Sequence, residues 1–271
     1  MSDYIFIFAV ALFAFIAFLI FGPNAIRNAY IRKMSDEYYS EDNTNSLNET
    51  AGNLIARYIY LHKMDTKICV QDSLLDGDSY YNIQRDEINI GKEIDKAMNI
   101  YAVTECYHEL GHARQMQKFK NPRRKLQYIN SFQQKRASMP YLSLVGMVCF
   151  VFGLMALMLN KETSTLFIFF ILIGVSLIGC VLKLQMEQVK DEAEASNLAI
   201  QMMTEDGFTS VEIDKAQKRL DKCLKTYKAE LVINSLKWLG IVLLIICMSG
   251  SSKKKMIKFK NNTCNSCKHM L

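Results

Sequence analysis

The sequence predicts a mainly α-helical, multi-pass membrane protein with about four transmembrane helices and an α+β part built around one polar helix. Three observations carry this. Four stretches are almost purely apolar, each about 18–20 residues long, enough to cross roughly 30 Å of hydrocarbon as a helix. Two long charged segments separate them, and the first shows the period-2 and turn signals of short strands. That same segment holds "CYHELGHARQ", with two of the chain's four histidines four residues apart and a glutamate beside the first.

The elements follow in chain order. Residues 4–22, "YIFIFAVALFAFIAFLIFG", carry no charge and are expected to be a retained transmembrane anchor. They lack the basic start and clean small-x-small site of a cleaved signal peptide. Residues 23–140 form a polar, catalytic-type segment. In it "NSLNETAGNLIARYIYLHK" is expected to be helical, with Leu54, Ile55, Tyr58, Ile59 and Leu61 on one face. "KICVQ" and "SYYNIQRDEINIG" are expected to be strands, with "QRDE" turning between two of them. "EIDKAMNIYAVTECYHELGHARQMQKF" is expected to be one helix. Residues 141–159 and 165–182 are the next two spans, and 183–230 is a polar helical segment. Residues 231–250 form the fourth span despite Lys237, which must snorkel or face a wet interior. Residues 251–271 are a basic tail. Its Cys264, Cys267 and His269 have spacing that could add a second metal site, but a mobile basic tail is the expected reading.

Charge and cysteine usage narrow the function classes. The net charge is +6, yet the Lys and Arg flank the spans and do not form a face with interleaved aromatics, so no nucleic-acid partner is expected. The lipid bilayer and a peptide or protein substrate are the expected partners. Arg27, Arg32, Lys33, Arg123, Arg124, Lys183 and Lys190 fall on one side of a four-span topology. The positive-inside rule then places the catalytic segments in the cytoplasm of a cell-membrane protein. The Lys-rich tail argues the other way. Eight scattered cysteines, three of them in spans, suit a reducing compartment and not a disulfide framework.

The chemistry lies in the HELGH stretch. Residues four apart on a helix share a face, so His108 and His112 can grip one Zn²⁺. Glu109 then projects near the open side of the metal as a general base for a zinc-bound water. A catalytic zinc needs a third protein ligand. In "EQVKDEAEASNLAIQMM", Glu192 falls within the small and apolar stripe of Val189, Ala193, Ser196, Ala199, Ile200 and Met203. A carboxylate on an inward face needs a partner, so Glu192 is the expected ligand. Glu194, on the charged face, is the fallback. The expected activity is membrane-bound zinc endopeptidase. The alternative is a non-catalytic zinc-containing membrane protein acting as a binding or scaffold module, against which an intact Glu109 argues. An edge strand near Ile88–Ile90 is expected to hold an extended substrate.

These residues resemble the bacterial membrane-embedded neutral zinc metallopeptidases of the YugP-like family. More distantly they are similar to the gluzincin-type membrane proteases that include HtpX and the CAAX prenyl protease. The resemblance covers nearly the whole chain, through "TAGNLIARYIY", "DSYYNIQRDEINI", "YHELGHARQ" and "DEAEASNLA". It implies a zincin-like catalytic part and points again to Glu192 as third ligand. It also implies that Ser196 supports the site from behind the ligands. The family usually shows Asp-His-Tyr-Asp-Pro where this chain has Asp78-Ser79-Tyr80-Tyr81-Asn82, and a basic residue where Asn197 stands. The resemblance by itself therefore assigns no substrate-edge or transition-state role to those positions.

Overall fold

A computed structural model describes residues 44–72, 79–159 and 164–235. The expected span at 4–22, most of the one at 231–250, and the tail with Cys264, Cys267 and His269 lie outside these residues. The described chain is mainly helical with one small sheet. In order it runs α1 (Ala51–Leu61), β1 (Lys67–Gln71), β2 (Ser79–Asn82), β3 (Glu87–Gly91), α2 (Lys92–Lys96), α3 (Ile100–Gln117), α4 (Pro122–Leu159) and α5 (Ser164–Glu205). A last helix, α6, covers residues 210–235. The described residues fall into two compact units, one of 44–136 with 185–230, the other of 137–184 with 231–235.

In the first unit, Thr50 caps α1 by accepting from the Asn53 N–H, which satisfies one of the amides a helix start leaves unpaired. Leu54, Ile55 and Tyr58 are fully buried, as their spacing requires. Leu61 does not follow them: it is 61 % exposed, because the helix ends there and His62 caps it.

The sheet order is β1-β3-β2, with β1 parallel and β2 antiparallel to β3. Ile88 and Ile90 are fully buried on this middle strand. Both sides of β3 are therefore paired, and the substrate edge expected at Ile88–Ile90 cannot be there. Among the described residues, the edges left unpaired belong to β1 and β2. Between β2 and β3, the Asn82 side chain accepts from the Gln84 and Arg85 N–H groups, the local bonding that favours Asn in turns. Asp86 closes the turn at φ 50°, and its carboxylate accepts from Thr66, Tyr81 and Lys125. Burial alone would raise that carboxyl, but these donors outweigh it and hold it below the usual carboxylate range.

The expected single helix over the HELGH stretch is broken at Ala97–Asn99. The Asn99 side chain accepts from the Ala102 N–H and starts α3 afresh. The freed backbone is paired with the start of α1 and the segment before it, through Ala51 N–H to Ala97 O and Asn45 N–H to Met98 O. A cap plus these cross-chain bonds outweighs continuing one helix. Val103, Cys106, Tyr107 and Leu110 of α3 then pack on α1, β3 and the Ala199, Met202 and Met203 face of α5. Each large apolar side chain buried this way contributes about 1.5–3 kcal/mol.

Two helices are long and apolar enough to cross a membrane, at Pro122–Gly153 and Ile168–Glu205. They contain most of the apolar stretches expected at 141–159 and 165–182. In the second unit, Gly174 brings α5 against α4: a Cβ there would lie 2.7 Å from the Phe150 N and 2.8 Å from the Gly146 O. Small residues permit such close backbone approach.

Candidate metal centre

All the residues of the candidate site lie in the first unit. Residues 108 and 112 share one face of α3, and their rings stand 4.9 Å apart. α5 runs past that face because Gly111 has no side chain: a Cβ there would meet the Ala195 O at 2.3 Å. The close approach brings Glu192 up to both histidines. Its Oε2 lies 3.3 Å from His108 Nε2 and 3.5 Å from His112 Nε2. One donor atom from each of the three residues falls within 4.8 Å of the others.

These distances suit a shared cation better than a set of ion pairs. A charge-assisted N–H···O bond is about 2.7–2.9 Å long, and both contacts are wider. Around zinc with bonds of about 2.0–2.2 Å, a tetrahedron has edges of about 3.3–3.6 Å between neighbouring ligand atoms. Two imidazole nitrogens and a carboxylate oxygen are also a donor set that zinc accepts. The three residues therefore fit Zn²⁺.

Glu109 is on the adjoining face of α3 and is 7 % exposed. Its Oε2 accepts the Tyr81 N–H of β2 at 2.6 Å. Burial, the largest influence, pushes its carboxyl up to about 8, with His112 opposing and Glu105 and Glu192 adding. Ser79 Oγ donates to Glu105 Oε1 at 3.1 Å, so two residues of β2 are tied to this face of α3. Arg219 of α6 lies 3.6 Å from the other Glu105 oxygen and sits over the Tyr101 ring.

Ser196 is buried below the histidines. Its Oγ donates to the Glu192 carbonyl at 2.8 Å and is 3.4 Å from His108 Nδ1. Glu194 lies outside the three-residue cluster: it accepts from Gln115 Nε2 at 3.4 Å and pairs with Lys118. Gln115 is a contact that sequence reasoning passed over. Its Oε1 is 3.2 Å from His112 Nδ1, and its Nε2 donates to the Asp191 carbonyl at 2.8 Å. The signal was present, since a residue three after His112 on a helix is its neighbour.

No curated protein and no solved structure matches this chain. A family match does span residues 10–246, most of the sequence. The chain thus belongs to the family described as "Putative neutral zinc metallopeptidase", whose cofactor is Zn²⁺ and whose substrates are peptides or proteins.

Proposed function

We propose that this chain is a membrane-bound endopeptidase in which His108, His112 and Glu192 hold Zn²⁺ and Glu109 is the general base. The observation that carries the reading is the three-residue cluster with the buried Glu109 carboxyl on the adjoining face of the same helix. A structural zinc site has four protein ligands, whereas a catalytic one keeps a position open. Among the described residues this cluster has three members, which favours catalysis over a scaffold role. When bound, Zn²⁺ supplies Lewis acidity to the attacking water and to the scissile carbonyl.

The chain's own groups do the rest. Beside a cation held by His108, His112 and Glu192, the Glu109 carboxyl is drawn down from its raised value. As a carboxylate, Glu109 takes a proton from the water and returns it to the leaving amine nitrogen. Ser196 and Gln115 hold the two imidazoles from behind. The short edge strand β2 pairs with an extended substrate, in place of the edge expected at Ile88–Ile90. The catalytic part is zincin-like and of the bacterial YugP-like type. It comprises residues 23–140 and 183–230, set among spans at 4–22, 141–159, 165–182 and 231–250. Both parts contribute to one metal site, so they share one side of the membrane, and the Lys/Arg flanks support the cytoplasmic side.

Glu109→Gln tests this reading. The amide cannot take the proton, so peptide hydrolysis should fall at least about a hundredfold while zinc content stays at wild-type stoichiometry. Undiminished turnover by that variant excludes the mechanism.

A further inference from the structure

We propose that Gln115 is a positioning residue that fixes the tautomer of His112, and that Glu194 and Lys118 in turn fix Gln115. The inference rests on the zinc site argued above. A histidine that gives Nε2 to a metal must carry its proton on Nδ1, and the acceptor facing Nδ1 selects that form. Gln115 Oε1 faces His112 Nδ1 at 3.2 Å.

An amide can present either its oxygen or its nitrogen, so its neighbours decide which end faces the ring. Here both neighbours on the nitrogen side are acceptors. Gln115 Nε2 donates to the Asp191 carbonyl at 2.8 Å and lies 3.4 Å from Glu194 Oε2. Turning the amide over would aim its oxygen at a carbonyl and a carboxylate. Glu194 is itself held by Lys118 from the end of α3. Gln115 is 9 % exposed, so water does not readily replace these partners. His108 is treated differently, because its neighbour Ser196 offers a hydroxyl that can donate or accept.

The test compares zinc affinity, by chelator competition on the full-length detergent-solubilised protein, for three variants. Gln115→Met keeps the volume but offers only a weakly accepting thioether, and should bind zinc about 10–100-fold more weakly. The exchanged pair Gln115→Glu with Glu194→Gln also loses the bond to the Asp191 carbonyl. It still offers a carboxylate to Nδ1–H, and should bind within about threefold of wild type. Both variants lose the bond to the Asp191 carbonyl, and the exchanged pair gives up the Lys118–Glu194 pair as well, yet only the exchanged pair keeps a strong acceptor at Nδ1. In the metal-free protein, ¹⁵N shifts of His112 should report the Nδ1–H form in wild type and the exchanged pair, and a shift toward Nε2–H in Gln115→Met. Equal zinc loss in the two variants, or Gln115→Met within about twofold of wild type, overturns the role of Gln115. A His112→Ala protein that binds zinc as wild type does overturns the site itself, which separates the two failures.

Discussion

Gly111→Ala sets helix propensity against geometry at the point where α3 and α5 meet. In an isolated helix the change gains about 1 kcal/mol. In this fold the new methyl would lie 2.3 Å from the Ala195 O, 3.0 Å from its carbonyl carbon and 3.2 Å from its Cα. These are backbone atoms, with no side-chain rotamer to relieve the clash. Ordinary contact begins near 3.4 Å, so the helices must part by about 1 Å. Overpacking of this kind costs about 1–3 kcal/mol, so the net effect on stability should run from neutral to a loss of about 2 kcal/mol. The effect on the site should be larger. Ala195 is less than one turn from Glu192, and a rigid helix carries both. A zinc–oxygen bond of about 2.0–2.2 Å cannot stretch by 1 Å. Zinc affinity should drop about 10–100-fold, and peptidase activity at saturating zinc about a hundredfold. Denaturant melts and chelator competition on the detergent-solubilised protein read the two effects separately. A Gly111→Ala protein that is stabilised by about 1 kcal/mol and binds zinc normally would refute the packing argument.

The remaining predictions concern the ligands, the sheet and the topology. His108→Ala, His112→Ala and Glu192→Ala should each lose most of the one zinc per chain in metal analysis, while Glu194→Ala should keep it; the reverse result for the two glutamates reassigns the third ligand. Asp86→Asn should cost about 1–3 kcal/mol at neutral pH by removing the acceptor of the Lys125 bond. The Asp86 carboxyl is held low in the fold, so its contribution is present above the unfolded value of about 3.9 and is lost as pH falls through the lower folded value. Urea melts of wild type and variant should therefore converge in acid. Ser46→Cys and Ser210→Cys, in a background with the native cysteines replaced, should both resist an impermeant thiol reagent in intact cells. Labelling of both reverses the orientation, and labelling of one breaks the four-span arrangement.

The parts of this fold set by local chemistry could be read from the chain. The "KICVQ" strand and the turn between β2 and β3 lie where residue type and alternation place them. The Ala195 carbonyl that requires a residue without a side chain at 111 was not legible, because it comes from a helix about 80 residues further along the chain. Non-local pairing was not legible. Asn99 sits inside a run that reads as helix, and the bonds from Asn45 and Ala51 to the Met98 and Ala97 carbonyls join its own cap in making a break favourable. The strand at Ile88–Ile90 has the alternation of an edge, but whether a strand is central depends on what pairs beside it. Within the site, periodicity could rank Glu192 above Glu194. It could not show that Glu194 would be engaged with Lys118 and an amide behind His112.

Cys106 sits two residues before His108 and is completely buried. Burial, with Glu105, Glu109 and Asp95 adding, pushes its thiol well above the ordinary range, so it is unreactive in the folded protein. It becomes a thiolate that reagents can reach only when the core around α3 opens. The side chain is thus a built-in clock for that opening. Where reclosing is faster than alkylation, the rate of modification scales with the open population. Zinc bound to the closed form alone should slow the clock about tenfold for every tenfold excess over its Kd. The pace of Cys106 alkylation across a zinc titration would then give the opening free energy and the metal affinity in one curve, without any substrate.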